Sequence, residues 1–136
     1  MSDTYRVSMV SVDGGPTALG STTNGLSLVA DRPPAAGGRG FGFNGGQLLY
    51  LSIAACVSND LYREAATMKI PLRRVAVEVD GDFPARGSAS TAIVVAVTIE
   101  ADATDAAVDE LLAEVDRVAE IPNSLRGTVP VVISRA

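Results

Sequence analysis

The sequence predicts an α+β fold in the order β-β-β-α-β-β-α-β, with a long buried helix at its centre. Three observations carry this expectation. Residues 74–80 place Val75, Val77 and Val79 on one face with the period of a half-buried strand, and residues 93–100 place Ile93, Val95, Val97 and Ile99 on one face and Val94, Ala96, Thr98 and Glu100 on the other; residues 44–68 run without a helix breaker after the glycine pair; and Val108, Leu111, Leu112, Val115 and Val118 recur at helical spacing. The strands are thereby segregated from the helices along the chain.

The first third supplies three short strands in TYRVSMVSV, TALGS and GLSLVAD, separated by DGGP and TTNG, whose Gly, Asn and Pro suit turn geometry. Next comes RPPAAGGRGFGFNGG, in which six of fifteen residues are glycine, so this stretch is an irregular loop. Asn44 then stands where an N-cap belongs, and KIP ends the helix near residue 68. Between Leu48 and Val57 apolar residues point in every direction on the helical wheel, the mark of a helix covered on all sides. In LRRVAVEVDGDF, Val75, Val77 and Val79 alternate with Arg74, Ala76, Glu78 and Asp80, and Ile93, Val95, Val97 and Ile99 share one face of the following run. The two form an antiparallel hairpin over the helix. Thr104 caps an amphipathic helix that Pro122 ends, and TVPVVIS closes the chain as a last strand.

With 136 residues, 47% hydrophobic and 20% charged, the sequence fits one domain over residues 1–136. A domain of this size has little chain with which to surround a fully apolar helix, so a homodimer that buries the helix at its centre fits better than the alternative, a well-covered monomer core. The longest uncharged apolar stretches, LLYLSIAACV and AIVVAV, are far shorter than the roughly 20 residues of a membrane span, and the first residues carry no secretory pattern. A soluble, cytoplasmic protein that does not contact membranes follows. One cysteine and no histidine leave no internal disulfide and none of the usual metal sites, so neither cofactor nor metal is expected. A net charge of -5 and the lack of tryptophan argue against nucleic acid as a partner.

Two motifs are candidates for chemistry. Residues 40–45, GFGFNG, match G-x-G-x-x-G literally, but a Pro/Gly loop precedes them where a dinucleotide site needs a strand, so they read as a loop entering a helix. Cys56 is the sharper candidate. A free thiol titrates near 8.5, which leaves only about 3% as the nucleophilic thiolate at pH 7. Cys56 lies twelve positions past Asn44, beyond the reach of the helix dipole, so a nearby cation must lower its pKa. Arg32 and Arg39, flanking the glycine-rich loop, are the candidates for that charge, since a guanidinium stays ionised. The alternative is that Cys56 packs as a small apolar residue.

The stretch N-G-G-Q-L-L-Y-L-S-I-A-A-C at residues 44–56, followed by K-I-P-L-R-R-V-A-V-E-V-D-G, a hairpin, an amphipathic helix and N-S-L-R-G, resembles the OsmC/Ohr superfamily. These are the osmotically inducible and organic hydroperoxide resistance proteins. The resemblance implies an intertwined homodimer with a long central helix. It also implies that a cysteine at the place of Cys56 attacks an organic hydroperoxide to give a sulfenic acid, which a second cysteine resolves as a disulfide. This chain departs from that pattern twice. Gly45 and Gly46 replace the Pro-Glu whose glutamate orients the family's arginine, and Ala119, Glu120 and Ile121 stand where the second cysteine would precede Pro122. The resemblance therefore implies a peroxidase with one cysteine, Cys56, recycled by an external thiol. Arg39 or Arg32 would stabilise its thiolate, and Asp60 or Glu64 would replace the lost glutamate. Phe41, Phe43, Leu48, Leu49 and Tyr50 would line an apolar pocket for an alkyl or lipid hydroperoxide. The alternative is a non-catalytic dimer of the same fold that binds a small apolar ligand, with Cys56 in its core.

Overall fold

The computed structural model describes residues 2–136, and the chain divides into two compact units, one up to Leu49 and one from Tyr50 onward. In the first unit β1 (Val7–Ser11), β2 (Ala18–Thr22) and β3 (Ser27–Ala30) form an antiparallel meander in that order. The turn residues do what their chemistry allows: Asp13 and Gly14 carry positive φ between β1 and β2, and Gly25 does so before β3. Many large apolar side chains of this sheet are exposed, among them Val7, Met9, Val10 and Leu28.

The loop after β3 is irregular, as expected, apart from one 3-10 turn at Pro34–Ala36. It is also tightly held. The Phe43 amide donates to the Val29 carbonyl and the Asp31 amide to the Phe43 carbonyl, at 3.2 and 2.9 Å. The Asp31 carboxylate, almost wholly buried, accepts from the Thr17 hydroxyl and from the backbone amides of Arg32, Arg39 and Phe41.

Helix α1 (Gly45–Met68) begins in the first unit and continues into the second. Its start is a reciprocal cap: Asn44 Oδ1 accepts from the Gln47 amide at 2.9 Å, and Gln47 Oε1 accepts from the Asn44 amide at 3.0 Å. Lys69 ends it with φ 57°, and the Ile70 amide returns to the Ala65 carbonyl. Within one chain only a stripe of the apolar wheel is covered. Ile53, Val57, Leu61 and Ala65 are buried at a spacing of four, whereas Leu51 is 45% exposed. One sheet can cover one side of a helix, and the expected covering on all sides is not completed by the chain itself.

That sheet belongs to the second unit. β4 (Leu72–Asp80) and β5 (Ile93–Ala101) form the expected antiparallel hairpin, with Val75, Val77 and Val79 opposite Ile99, Val97 and Val95. β6 (Val131–Arg135) lies parallel to β5. Ile93, Val95 and Val97 are fully or almost fully buried and join the α1 stripe in a single core, together with Leu111, Leu112 and Val115 of α2 (Asp105–Val118). Thr104 caps α2, its side chain accepting from the Ala107 amide.

The end of α2 differs from the expectation. The helix stops at Val118, Ala119 takes extended dihedrals, and a further short helix, α3 (Glu120–Leu125), contains Pro122. Proline is tolerated there because the amides of a first helical turn have no partner within the helix. Arg126 holds the end of α3 in place, donating to the carbonyls of Asp116 and Val131. No helix among the described residues is long and apolar enough to cross a membrane.

Candidate functional site around Cys56

Cys56 and Asp60 are four residues apart on α1 and so lie one above the other on the same face of the helix. That face meets the start of α3. The Cys56 Sγ lies 3.7 Å from Asp60 Oδ2 and 3.9 Å from Glu120 Oε2. Cys56 is partly open to solvent, whereas Asp60 is only 4% exposed. A buried carboxylate needs a partner, and Arg63, three residues further on, provides it with Nη1 at 2.9 Å from Asp60 Oδ1. The same guanidinium donates through Nε to Glu64 Oε1 at 2.8 Å.

This environment sets the protonation of the group. Burial pushes the Cys56 thiol above its ordinary pKa, and the charges of Asp60 and Glu120 push it the same way against a hydrogen bond from the Ile121 amide. Burial likewise raises the Asp60 carboxyl, with Glu120 and Glu64 adding to it while Arg63 and the Cys56 thiol oppose. The expectation of a nearby cation that depresses the thiol's pKa is thus not met by any group acting on Cys56 within this unit. The sulfur and the two carboxylate oxygens lie within 4.8 Å of one another, close enough to share a proton or to surround a small cation.

The arginines singled out by sequence both lie in the first unit. Arg39 pairs with Asp13 at 3.4 Å, both side chains being well exposed, and its amide is held by Asp31. Arg32, whose amide donates to Asp31 Oδ1 at 2.7 Å, borders a cavity of about 560 Å³ together with Phe43, Asn44 and Gly46. Gly46, at the place of the family's glutamate, therefore opens onto the same cavity as Arg32. Phe41 is exposed, its amide fixed by Asp31. Leu48 borders a second cavity in this unit, of about 510 Å³, with Met9 and Leu28, and Leu49 is partly buried. Tyr50 lies in the second unit, where its hydroxyl shares a 2.7 Å hydrogen bond with Ser90 Oγ and its ring stacks on Phe83.

Two glycines of GFGFNG are explained by the backbone. A Cβ on Gly42 would fall 2.1 Å from the Val29 carbonyl oxygen, and Gly40 has φ +71°. Close backbone approach at Gly42 and the positive φ of Gly40, not a phosphate, account for these two, whereas a Cβ on Gly45 would meet nothing within 4 Å. Sequence reasoning missed Asp31, whose only signal is an aspartate at a strand end before a Pro/Gly loop. It also passed over Glu120, noted only for standing in the region of the family's second cysteine, because its approach to Cys56 depends on the packing of α3 against α1.

The sequence profile of the OsmC-like protein family matches residues 37–134. A search of curated proteins gave no significant match. Among solved structures, the chain is similar to an OsmC-like protein from Mycoplasma pneumoniae at a TM-score of 0.82 and 18% identity, covering 100% of this chain and 99% of that one. It is similar to an organic hydroperoxide resistance protein from Legionella pneumophila, with a TM-score of 0.76, 24% identity and coverage of 98% and 97%. A protein from Vibrio cholerae assigned to organic hydroperoxide resistance, with captopril bound in one of its active sites, is 27% identical at a TM-score of 0.73, covering 99% of this chain and 94% of that one.

Proposed function

The chain belongs to the OsmC-like protein family, and from that premise we propose that it is a thiol peroxidase in which Cys56 reduces an organic hydroperoxide. The observation that carries this reading is the setting of the sulfur. Cys56, the one thiol of the sequence, is partly open to solvent on α1, so a hydroperoxide can reach its sulfur. The structural likeness to proteins named for organic hydroperoxide resistance supports the substrate class. With a single cysteine in the sequence, the sulfenic acid is returned to the thiol by an external thiol, for which the reducing cytoplasm is the fitting place. The working form is a homodimer, whose second copy covers Leu51 of α1 and exposed apolar residues such as Val10 and Leu28 of the first sheet. Arg32 or Arg39 contributes the charge that the surroundings of the sulfur in its own unit do not, and Phe41, Phe43, Leu48, Leu49 and Tyr50 supply the apolar lining.

A second reading is favoured by one specific observation: burial and two carboxylates hold the thiol above its ordinary pKa. In that reading the protein is a non-catalytic dimer that binds a small apolar ligand, and Cys56 packs against the core. Cumene hydroperoxide added together with a sulfenate-trapping reagent separates the two. The peroxidase reading expects an adduct on Cys56 and loss of peroxide turnover in Cys56→Ser. Equal peroxide consumption by wild type and Cys56→Ser would leave the second reading.

A further inference from the structure

Two carboxylates beside a nucleophilic thiol are an unusual choice, since each disfavours the thiolate. They are not equivalent, however. Glu120 is exposed and reaches the sulfur from α3 at 3.9 Å. Asp60 is buried, lies on the same helix as the thiol, and is held by one oxygen alone: Arg63 binds Oδ1, which leaves Oδ2 facing Sγ. A nucleophile, an acceptor within reach of its proton, and a third group that orients the acceptor constitute the general arrangement of an activated nucleophile.

We propose that Asp60 is the catalytic base of this site, taking the Cys56 proton as the sulfur attacks, and that Arg63 is the positioning residue that aims it. The inference rests on the peroxidase reading and deepens it. In the step, the sulfur forms a bond to the terminal oxygen of the hydroperoxide while the O–O bond breaks. The thiol proton passes to Asp60 Oδ2, and the departing alkoxide, a far stronger base than a carboxylate, takes that proton to become the alcohol. Sulfur is oxidised by two electrons to the sulfenic acid and the peroxide is reduced by two. The charged and titratable groups acting on Asp60 are Arg63 and Glu64 of α1, Glu120 of α3, and Cys56 itself. Burial keeps the Asp60 carboxyl more basic than a free one, which suits a proton acceptor.

A base and a merely repulsive charge predict opposite signs for Asp60→Asn. If Asp60 acts as base, the variant reduces cumene hydroperoxide at pH 7 at least about 100-fold more slowly, even though loss of the negative charge makes Cys56 alkylate faster with iodoacetamide. If Asp60 is only a repulsive charge, both reactions speed up, and the proposal is overturned. Glu120→Gln, which removes a charge but not the base, is expected to speed both. The wild-type rate should fall as pH drops through the Asp60 pKa, and this acid limb should vanish in Asp60→Asn and return in Asp60→Glu. Should Asp60→Asn not fold, the wild-type profile decides: an acid limb supports the base, and a rate that follows thiol ionisation alone overturns it. Absence of any sulfenate in the wild type defeats the peroxidase reading itself. Sulfenate formed at an undiminished rate in Asp60→Asn defeats only the role of Asp60.

Discussion

Gly42→Ala tests whether the glycine-rich loop is fixed by backbone approach. The new Cβ would sit 2.1 Å from the Val29 carbonyl oxygen, where even a tight contact needs 3.0 to 3.4 Å, and the obstacle is backbone that no side-chain rotation can move. The loop has to retreat from β3. Retreat breaks the bond from the Phe43 amide to Val29 at 3.2 Å and the bond from the Asp31 amide to Phe43 at 2.9 Å, and it strains the Phe41 amide on Asp31 at 3.1 Å. At about 1 kcal/mol for each bond, the loss is about 2–3 kcal/mol. With a urea slope of about 2 kcal/mol/M, the unfolding midpoint falls by about 1 M. Gly45→Ala is the control: it lies three residues on in the same motif, at the first position of α1, and an added methyl group there would meet no atom within 4 Å. Because alanine is the better helix former, that variant should be as stable as the wild type or up to about 1 kcal/mol more so. Urea unfolding followed by far-UV circular dichroism reads both variants. Gly42→Ala within about 0.5 kcal/mol of wild type, a change typical of neutral surface substitutions, would refute the close-approach argument.

Leu61→Ala removes a fully buried side chain from the stripe of α1 that meets β5, and should cost about 2–5 kcal/mol in urea unfolding. Thr104→Ala removes the side-chain acceptor for the Ala107 amide and should lower stability by about 1 kcal/mol, with the loss seen in exchange protection of the first turn of α2. Burial raises the Asp31 carboxyl, but the hydrogen bonds from Phe41, Arg32, Thr17 and Arg39 outweigh it and hold the pKa below the ordinary value. Its contribution is therefore complete above the unfolded-state pKa and disappears as pH falls through the lower, folded-state pKa. Carbon-detected titration of Asp31 should find that depressed value, and Asp31→Asn should flatten the acid end of the stability profile. For Cys56, whose thiol is raised, the rate of alkylation by iodoacetamide should still be climbing above pH 8.5, and a plateau below that value would contradict the burial and charge assigned to it.

How much of this was legible follows from the range of each interaction. The alternation in residues 74–80 and 93–99, the cap at Asn44 and the cap at Thr104 are local, and each is found where the pattern placed it. The family resemblance at residues 44–56 was legible for the same reason, since it rests on contiguous side chains. Pro122 misled because a proline ends a helix only from its interior; here the chain had already turned at Ala119, and the proline sits in the first turn of a new helix. Cys56 could be singled out as the one thiol, yet its partners could not. Asp60 is within helical reach in sequence, but its burial and its bond to Arg63 depend on what packs over α1, and Glu120 lies 64 residues away.

The sequence by itself determined the six strands, the two long helices and their order, and singled out Cys56 as the one thiol, because periodicity, capping and turn geometry act over a few residues. Only the tertiary structure decided what the thiol faces. Folding α3 against α1 places one carboxylate beside the sulfur, burying Asp60 makes a second carboxylate depend on Arg63, and burial of the thiol first, with both carboxylates adding to it, raises its proton affinity.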